Sequence, residues 1–171
     1  MPEQQNKPSR KIQDAINEQI AYEFYSAYIY LSMSAHFEAQ NLRGFAAWMR
    51  TKFAEEQQHA LKLFDYLHDR GARANLQPIP APPQQWNNCL EVFVGALKHE
   101  QGVTARIHKL YELALSEKDY ATQAMLQWFI TEQVEEEKTV GEIVEQLKLI
   151  DAKGTAILML DHKLGEAAKA G

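Results

Sequence analysis

Placed at 100° per residue, the apolar positions of this chain fall into four long stripes and one short one. Ile12, Ile16, Ile20, Ala27 and Tyr30 lie within roughly 80° of one another on a first helix. Phe45, Met49, Leu63 and Leu67 mark a second. Phe93, Leu97, Thr104, Ile107 and Tyr111 mark a third, and Met125, Phe129, Val140, Ile143 and Leu147 a fourth. No strand-like alternation competes with this period. The prolines, Pro2, Pro8, Pro78, Pro80, Pro82 and Pro83, leave Ser9–Gln77 and Gln84–Gly171 free of proline, as long helices require. The pattern predicts helices over 9–36, 42–70, 88–118 and 120–150, and a short fifth over 155–168, in one domain spanning 1–171. Ser9 is expected to cap the first helix and Asn41 the second, with Gly71 as the stop of the second and Gly154 setting off the fifth.

Connection lengths set the topology. The links near 37–41 and 116–119 are short, so the helices they join are antiparallel neighbours. The link over 72–85 carries Pro-Ile-Pro-Ala-Pro-Pro, which favours extended polyproline geometry and a reach on the order of 40 Å. A helix of about 28 residues is roughly 42 Å long, so this link can run the full length of the bundle. The expected fold is an all-α four-helix bundle, up-down-down-up with one long crossover, plus a short C-terminal helix. The alternative is a flexible linker between two helical hairpins.

Each long stripe carries an acid where apolar residues belong. Glu23 lies within the first, Glu56 within the second with His59 beside it, Glu100 within the third, and Glu132 and Glu136 within the fourth. Buried carboxylates are costly unless paired or bound to metal, and Lys52 is the only cation on the second stripe. One such acid is explained by a local partner; four helices with the same feature point to divalent cations held between them. Glu56-Gln57-Gln58-His59 is Glu-x-x-His, which sets carboxylate and imidazole one turn apart on one face. Glutamate and histidine without cysteine suit iron or manganese, and zinc can also bind. Glu23, Glu56, Glu100 and Glu136 supply four negative charges for two divalent ions, with Glu56 the natural bridge.

Composition narrows the setting. No uninterrupted apolar run exceeds five residues, as in Ala156–Leu160, against the roughly 20 of a membrane span. Met1–Lys7 lacks the apolar stretch of a secretory signal, and the single Cys89 fits a reducing cytoplasm. Eighteen Lys and Arg against 23 Asp and Glu, a net charge of −5, disfavour nucleic acid as a partner.

Over nearly its whole length the chain resembles the ferritins, in particular the haem-free bacterial and archaeal type. The resemblance rests on Asn17-Glu18-Gln19…Tyr22-Glu23-Phe24-Tyr25 with Tyr30, on Ala54-Glu55-Glu56-Gln57-Gln58-His59, on Lys98-His99-Glu100-Gln101, and on Leu126 to Lys138. It implies that Glu23, Glu56 and His59 hold the first iron of a ferroxidase centre. Glu56, Glu100 and Glu136 would hold the second, with Gln133 close by and Tyr30 beside the centre. It further implies a third iron site from Glu55, Glu132 and Glu135, sharing Glu136. Glu132 and Glu135 are not followed by the second Glu-x-x-His of bacterioferritins and other di-iron oxidases, and the position of a haem-ligating methionine is Gln57, so no haem is expected.

The implied activity is oxidation of Fe(II) by O₂ and storage of the ferric mineral inside a hollow homo-oligomer, by family habit a 24-subunit shell. The fifth segment, with Ile157, Leu158, Leu160 and Leu164, is expected to meet copies of itself around a symmetry axis. Trp128 is expected to pack in the core, Tyr22, Tyr25 and Tyr28 to pack or meet other subunits, His99 to lie at a surface or interface, and Cys89 to be inert. Glu117 and Asp119 are candidate pore residues. Two rival readings are a di-iron oxidoreductase acting on a small substrate and a helical scaffold whose stripe acids bind nothing.

Overall fold

Helix α1, Arg10–Ala39, starts where Ser9 accepts a hydrogen bond from the Ile12 amide. The computed structural model describes residues 6–150 and 154–171. Residues 1–5 of the stretch read above for a secretory signal, and the expected fading of the fourth helix at Asp151–Ala152, lie outside those residues. The other helices are α2, Arg43–Asp69; α3, Cys89–Ser116; α4, Tyr120–Leu149; and α5, Gly154–Ala170.

Local chemistry sets most of these ends. Asn88 caps α3 by accepting from the Glu91 amide at 2.9 Å, and Asp119 caps α4 by accepting from the Thr122 amide at 3.0 Å. Gly71, at φ 68°, stops α2: its amide donates to the His68 carbonyl and that of Ala72 to Leu67, which satisfies two of the helix's last carbonyls. The cap of α2 differs from expectation. Asn41 sits at φ 59°, in the left-handed turn that ends α1, and its side chain does not reach α2. The free amide of Phe45 is met instead by Asp161 of α5, at 2.7 Å.

Helices α1 and α2 pack together, α3 and α4 pack together, and α1 meets α3, giving the up-down-down-up bundle. The crossover runs along α1. The Asn75 amide donates to Asn17 Oδ1 at 2.8 Å, Ser32 donates to the Pro83 carbonyl at 2.5 Å, and the rings of Trp86 and His36 meet edge-on at 5.2 Å. A strap tied to α1 at both ends is not a flexible linker between hairpins.

The side chains of α5 also differ from expectation. Ile157, Leu160 and Leu164 are buried within this chain, in the cluster that holds Phe45, Trp48 and Met49. The helix can lie that close because Gly44 and Gly165 carry no side chain: a Cβ on Gly44 would stand 1.8 Å from the Asp161 carbonyl oxygen. Leu158 and Met159 remain outside, 60% and 71% exposed, so only part of the segment is left for a neighbour.

Candidate metal centre

The core is split in two. One apolar cluster takes Ile12, Ile16 and Ile20 of α1, Ala60, Leu63 and Leu67 of α2, Val103 and Ile107 of α3, and Leu126 and Phe129 of α4. The other takes Tyr30, Met33 and Phe37, Phe45 and Met49, Phe93 and Ala96, and Val140 and Ile143 from the same four helices. Along every helix, a buried carboxylate stands where one cluster gives way to the other: Glu23, Glu56, Glu100 and Glu136. Four glutamates on the apolar stripes therefore meet in one polar layer closed by hydrophobic packing at both ends.

Within that layer, Glu23, Glu56 and His59 bring one ligand atom each to within 4.8 Å of one another, and so do Glu56, Glu100 and Glu136. Glu56 belongs to both triads. All five residues are 5% exposed or less. The carboxylates lack protein partners of the kind burial demands: both oxygens of Glu56 and Oε2 of Glu23 make no hydrogen bond. Glu23 Oε1 accepts from Gln19 at 2.8 Å. Glu100 accepts from the Tyr30 hydroxyl, and from the Gln133 amide at 3.2 Å, while His59 Nδ1 lies 3.4 Å from Glu56. An oxygen-rich, apolar-walled set with unpartnered carboxylate oxygens at its centre fits a pair of divalent cations.

The electrostatics carry the same message. Burial, reinforced by Glu56, pushes the Glu23 carboxyl up to about 8, and burial reinforced by Glu136 pushes Glu100 up to about 7. Burial also raises Glu56 well above the carboxylate range, and raises Glu136 despite Lys52 beside it. Without a cation these acids repel one another, and each is harder to ionise than a free carboxyl. Burial, then Glu100, lifts the Tyr30 hydroxyl well above its usual value, so it is a proton donor to Glu100 and not a phenolate.

The residues expected at a third site are arranged less tightly. Glu132 is half-buried and shares a group with His59 and Glu136, but Glu55 and Glu135 are exposed and belong to no such trio among the described residues. Glu55 instead accepts from Lys52. On α4 the fully buried neighbour is Gln133, because the buried face is rotated about one residue from the predicted stripe; Met125 likewise yields the core to Leu126. On α3 the same rotation puts Val103 and Leu110 inside and leaves Leu97, Thr104 and Tyr111 half-buried.

Trp128 is not a core residue. It is 39% exposed, its ring meets His59 edge-on at 5.4 Å, and Lys62 Nζ lies 4.0 Å over it. His99 is half-buried: it stacks on Tyr22 and shares a 2.6 Å hydrogen bond with Ser26, and burial pulls its pKa down to about 4. Asp119, besides capping α4, binds Arg70 through both carboxylate oxygens, and Glu117 accepts from Lys11, so both acids have local partners. Sequence reasoning missed the link from Lys52 to Glu136 across helices, since nothing in either local sequence signals it.

Comparison with known proteins agrees with this geometry. A family model described as Ferritin-like domain matches residues 13–150. The chain is 42% identical to the bacterial non-heme ferritin of Bacteroides fragilis strain 638R, over 92% of this chain and 98% of that one. It is 36% identical to the bacterial non-heme ferritin of Staphylococcus haemolyticus, over 91% and 94%. A solved open pore ferritin from the hyperthermophilic archaeon Archaeoglobus fulgidus superposes with a TM-score of 0.92 at 46% identity, covering 93% of this chain and 98% of that one. The chain belongs to the ferritin family.

Proposed function

We propose that this chain is an iron-storage ferroxidase: it binds two Fe(II) between its helices, passes their electrons to O₂, and releases Fe(III) to a mineral held inside a homo-oligomeric shell. The observation that carries this reading is Glu56, whose two buried carboxylate oxygens have no hydrogen-bond partner and which belongs to both triads. Glu23, Glu56 and His59 are assigned to the first iron, and Glu56, Glu100 and Glu136 to the second. Gln133 and Tyr30 orient Glu100 by donating to it. Carboxylate oxygen stabilises Fe(III) over Fe(II), which makes each iron a better reductant, and two adjacent irons give O₂ two electrons together. A third iron is assigned to Glu55, Glu132 and Glu135, with Glu136 shared.

The whole chain, 1–171, is taken as one domain acting in a closed homo-oligomer, with 24 subunits as the proposed number. Support comes from Leu149 and Met159, which line a groove between the end of α4 and α5 and stay 85% and 71% exposed among the described residues, and from Leu158, 60% exposed on α5. The single cysteine and absent disulfide favour the cytoplasm. No described helix is long and apolar enough to cross a membrane.

The reading is tested by adding Fe(II) in air and measuring both its oxidation and the iron that stays with the protein on gel filtration. The third site makes its own prediction. Glu132→Ala with Glu135→Ala should leave the first fast oxidation of two irons per chain within about twofold of wild type, while changing the O₂ consumed per iron and slowing later turnover. Stopped-flow absorbance with an oxygen electrode checks this; a double variant as inactive as a Glu56 variant would show that the three-site division is wrong.

A further inference from the structure

Lys52 is the only lysine or arginine buried among the described residues, at 5% exposure. It stands one turn before Glu56 on α2, and its ammonium donates both to Glu136 of α4 and to Glu55 of its own helix. The Trp48 ring lies 5.9 Å away, and the carboxylates of Glu56 and Glu100 also feel its charge. Thus a fixed positive charge joins the two acids that link the assigned second and third iron positions. A lysine costs several kcal/mol to bury without partners, so the pairing is the reason the side chain stays inside. It also has somewhere to go: Lys52 lines a groove open to solvent, walled by Thr51, Glu55, Thr139 and Ala168.

We propose that Lys52 is a built-in counter-ion that holds Glu136 and Glu55 while the centre is empty, gives up Glu136 to the second metal ion, and by keeping its charge beside Glu55 holds binding at the third position weak. It is a positioning residue, acting on metal through the two glutamates. The inference rests on the assignment of Glu136 and Glu55 as metal ligands.

The test uses Zn(II), which binds without redox chemistry, titrated calorimetrically into the iron-free assembled protein. The wild type should take two ions per chain tightly and a third weakly. In Lys52→Met, which keeps the stem and removes the charge, the second and third ions should bind at least about tenfold more tightly, because no ammonium competes for the carboxylates. Lys52→Arg should behave as wild type. Thermal melts give an independent readout: the metal-free Lys52→Met protein should melt below wild type, and the Zn(II)-loaded forms should melt together. A merely structural role would lower both melts alike and leave the affinities unchanged; that result, or weaker binding in Lys52→Met, overturns the inference. A wild type that takes no Zn(II) would instead sink the ligand assignment itself, and Lys52→Gln guards against a fault peculiar to methionine.

Discussion

Replacing Glu56 with alanine is expected to abolish rapid Fe(II) oxidation while leaving the helices intact. Glu56 is the only residue common to both triads, so its loss removes one ligand from each iron at once. Even groups that merely orient metal ligands commonly matter by 10–100-fold, so the initial rate should fall by more than about a hundredfold. The fold should not suffer, because neither Glu56 oxygen makes a hydrogen bond that the mutation would break. Stability should move the other way. Carboxyls raised from an ordinary 4.5 to about 8 at Glu23 and about 7 at Glu100 hold protons in the fold that the unfolded chain releases. The contribution of these two carboxyls to the stability of the metal-free protein is therefore full below about pH 4.5 and is lost as the pH rises from there through 7 to 8. Removing the carboxylate that repels Glu23 relieves part of that loss. At pH 8 the metal-free Glu56→Ala protein should melt at or above wild type. Stopped-flow oxidation paired with thermal melts checks both halves; wild-type oxidation rates in the variant would refute the assignment of Glu56.

Ending the chain at Ile150, so that α5 is absent, should lower the melting temperature by at least about 10 °C and prevent closure of the shell. Ile157, Leu160 and Leu164 leave the core of their own chain, and each contributes about 1.5–3 kcal/mol by burial. For a chain of this size each kcal/mol corresponds to about 2–4 °C. Loss of Asp161 also leaves the Phe45 amide without its cap. The four long helices, which carry the other contacts, should persist in circular dichroism. Leu158 and Met159, the large exposed apolar side chains of α5, disappear with it, and with them apolar surface open to neighbouring copies. Light scattering decides the assembly question: full-size particles from the shortened chain would show that α5 is dispensable for closure.

The carboxylate layer is legible in the amino-acid sequence because helix geometry is strict. At 100° per residue, a glutamate at Glu23 or Glu100 falls on the apolar face whatever the tertiary packing does. The crossover is legible for a similar reason, as proline fixes the extended backbone that spans the bundle. What stays hidden depends on which neighbour a helix meets. Small rotations of α3 and α4 place Val103, Leu126 and Gln133 inward and Glu132 at the edge, within the width of the predicted stripes. The apolar character of Trp128 predicts a core position, yet it stands half outside, against His59, where helix position counts for more than hydrophobicity. Asn41 has a capping side chain, but the left-handed turn claims its backbone. Lys52 is visible as a cation on an apolar stripe; its partner Glu136 lies 84 residues away, and only the packing of α2 on α4 brings them together.

Whether the four buried glutamates and one histidine hold two irons for oxidation is decided by anaerobic titration of Fe(II) at pH 7, with proton release followed, and then a pulse of O₂. A sharp end point is expected at two Fe(II) per chain. Protons should be released on binding, because burial pushes the Glu23 carboxyl up to about 8 and raises that of Glu56, and carboxylates bind iron only after losing their protons. Oxygen should then oxidise the bound iron in one fast phase. Fe(II) that binds without an end point, or binds without releasing protons, would contradict the two-iron assignment.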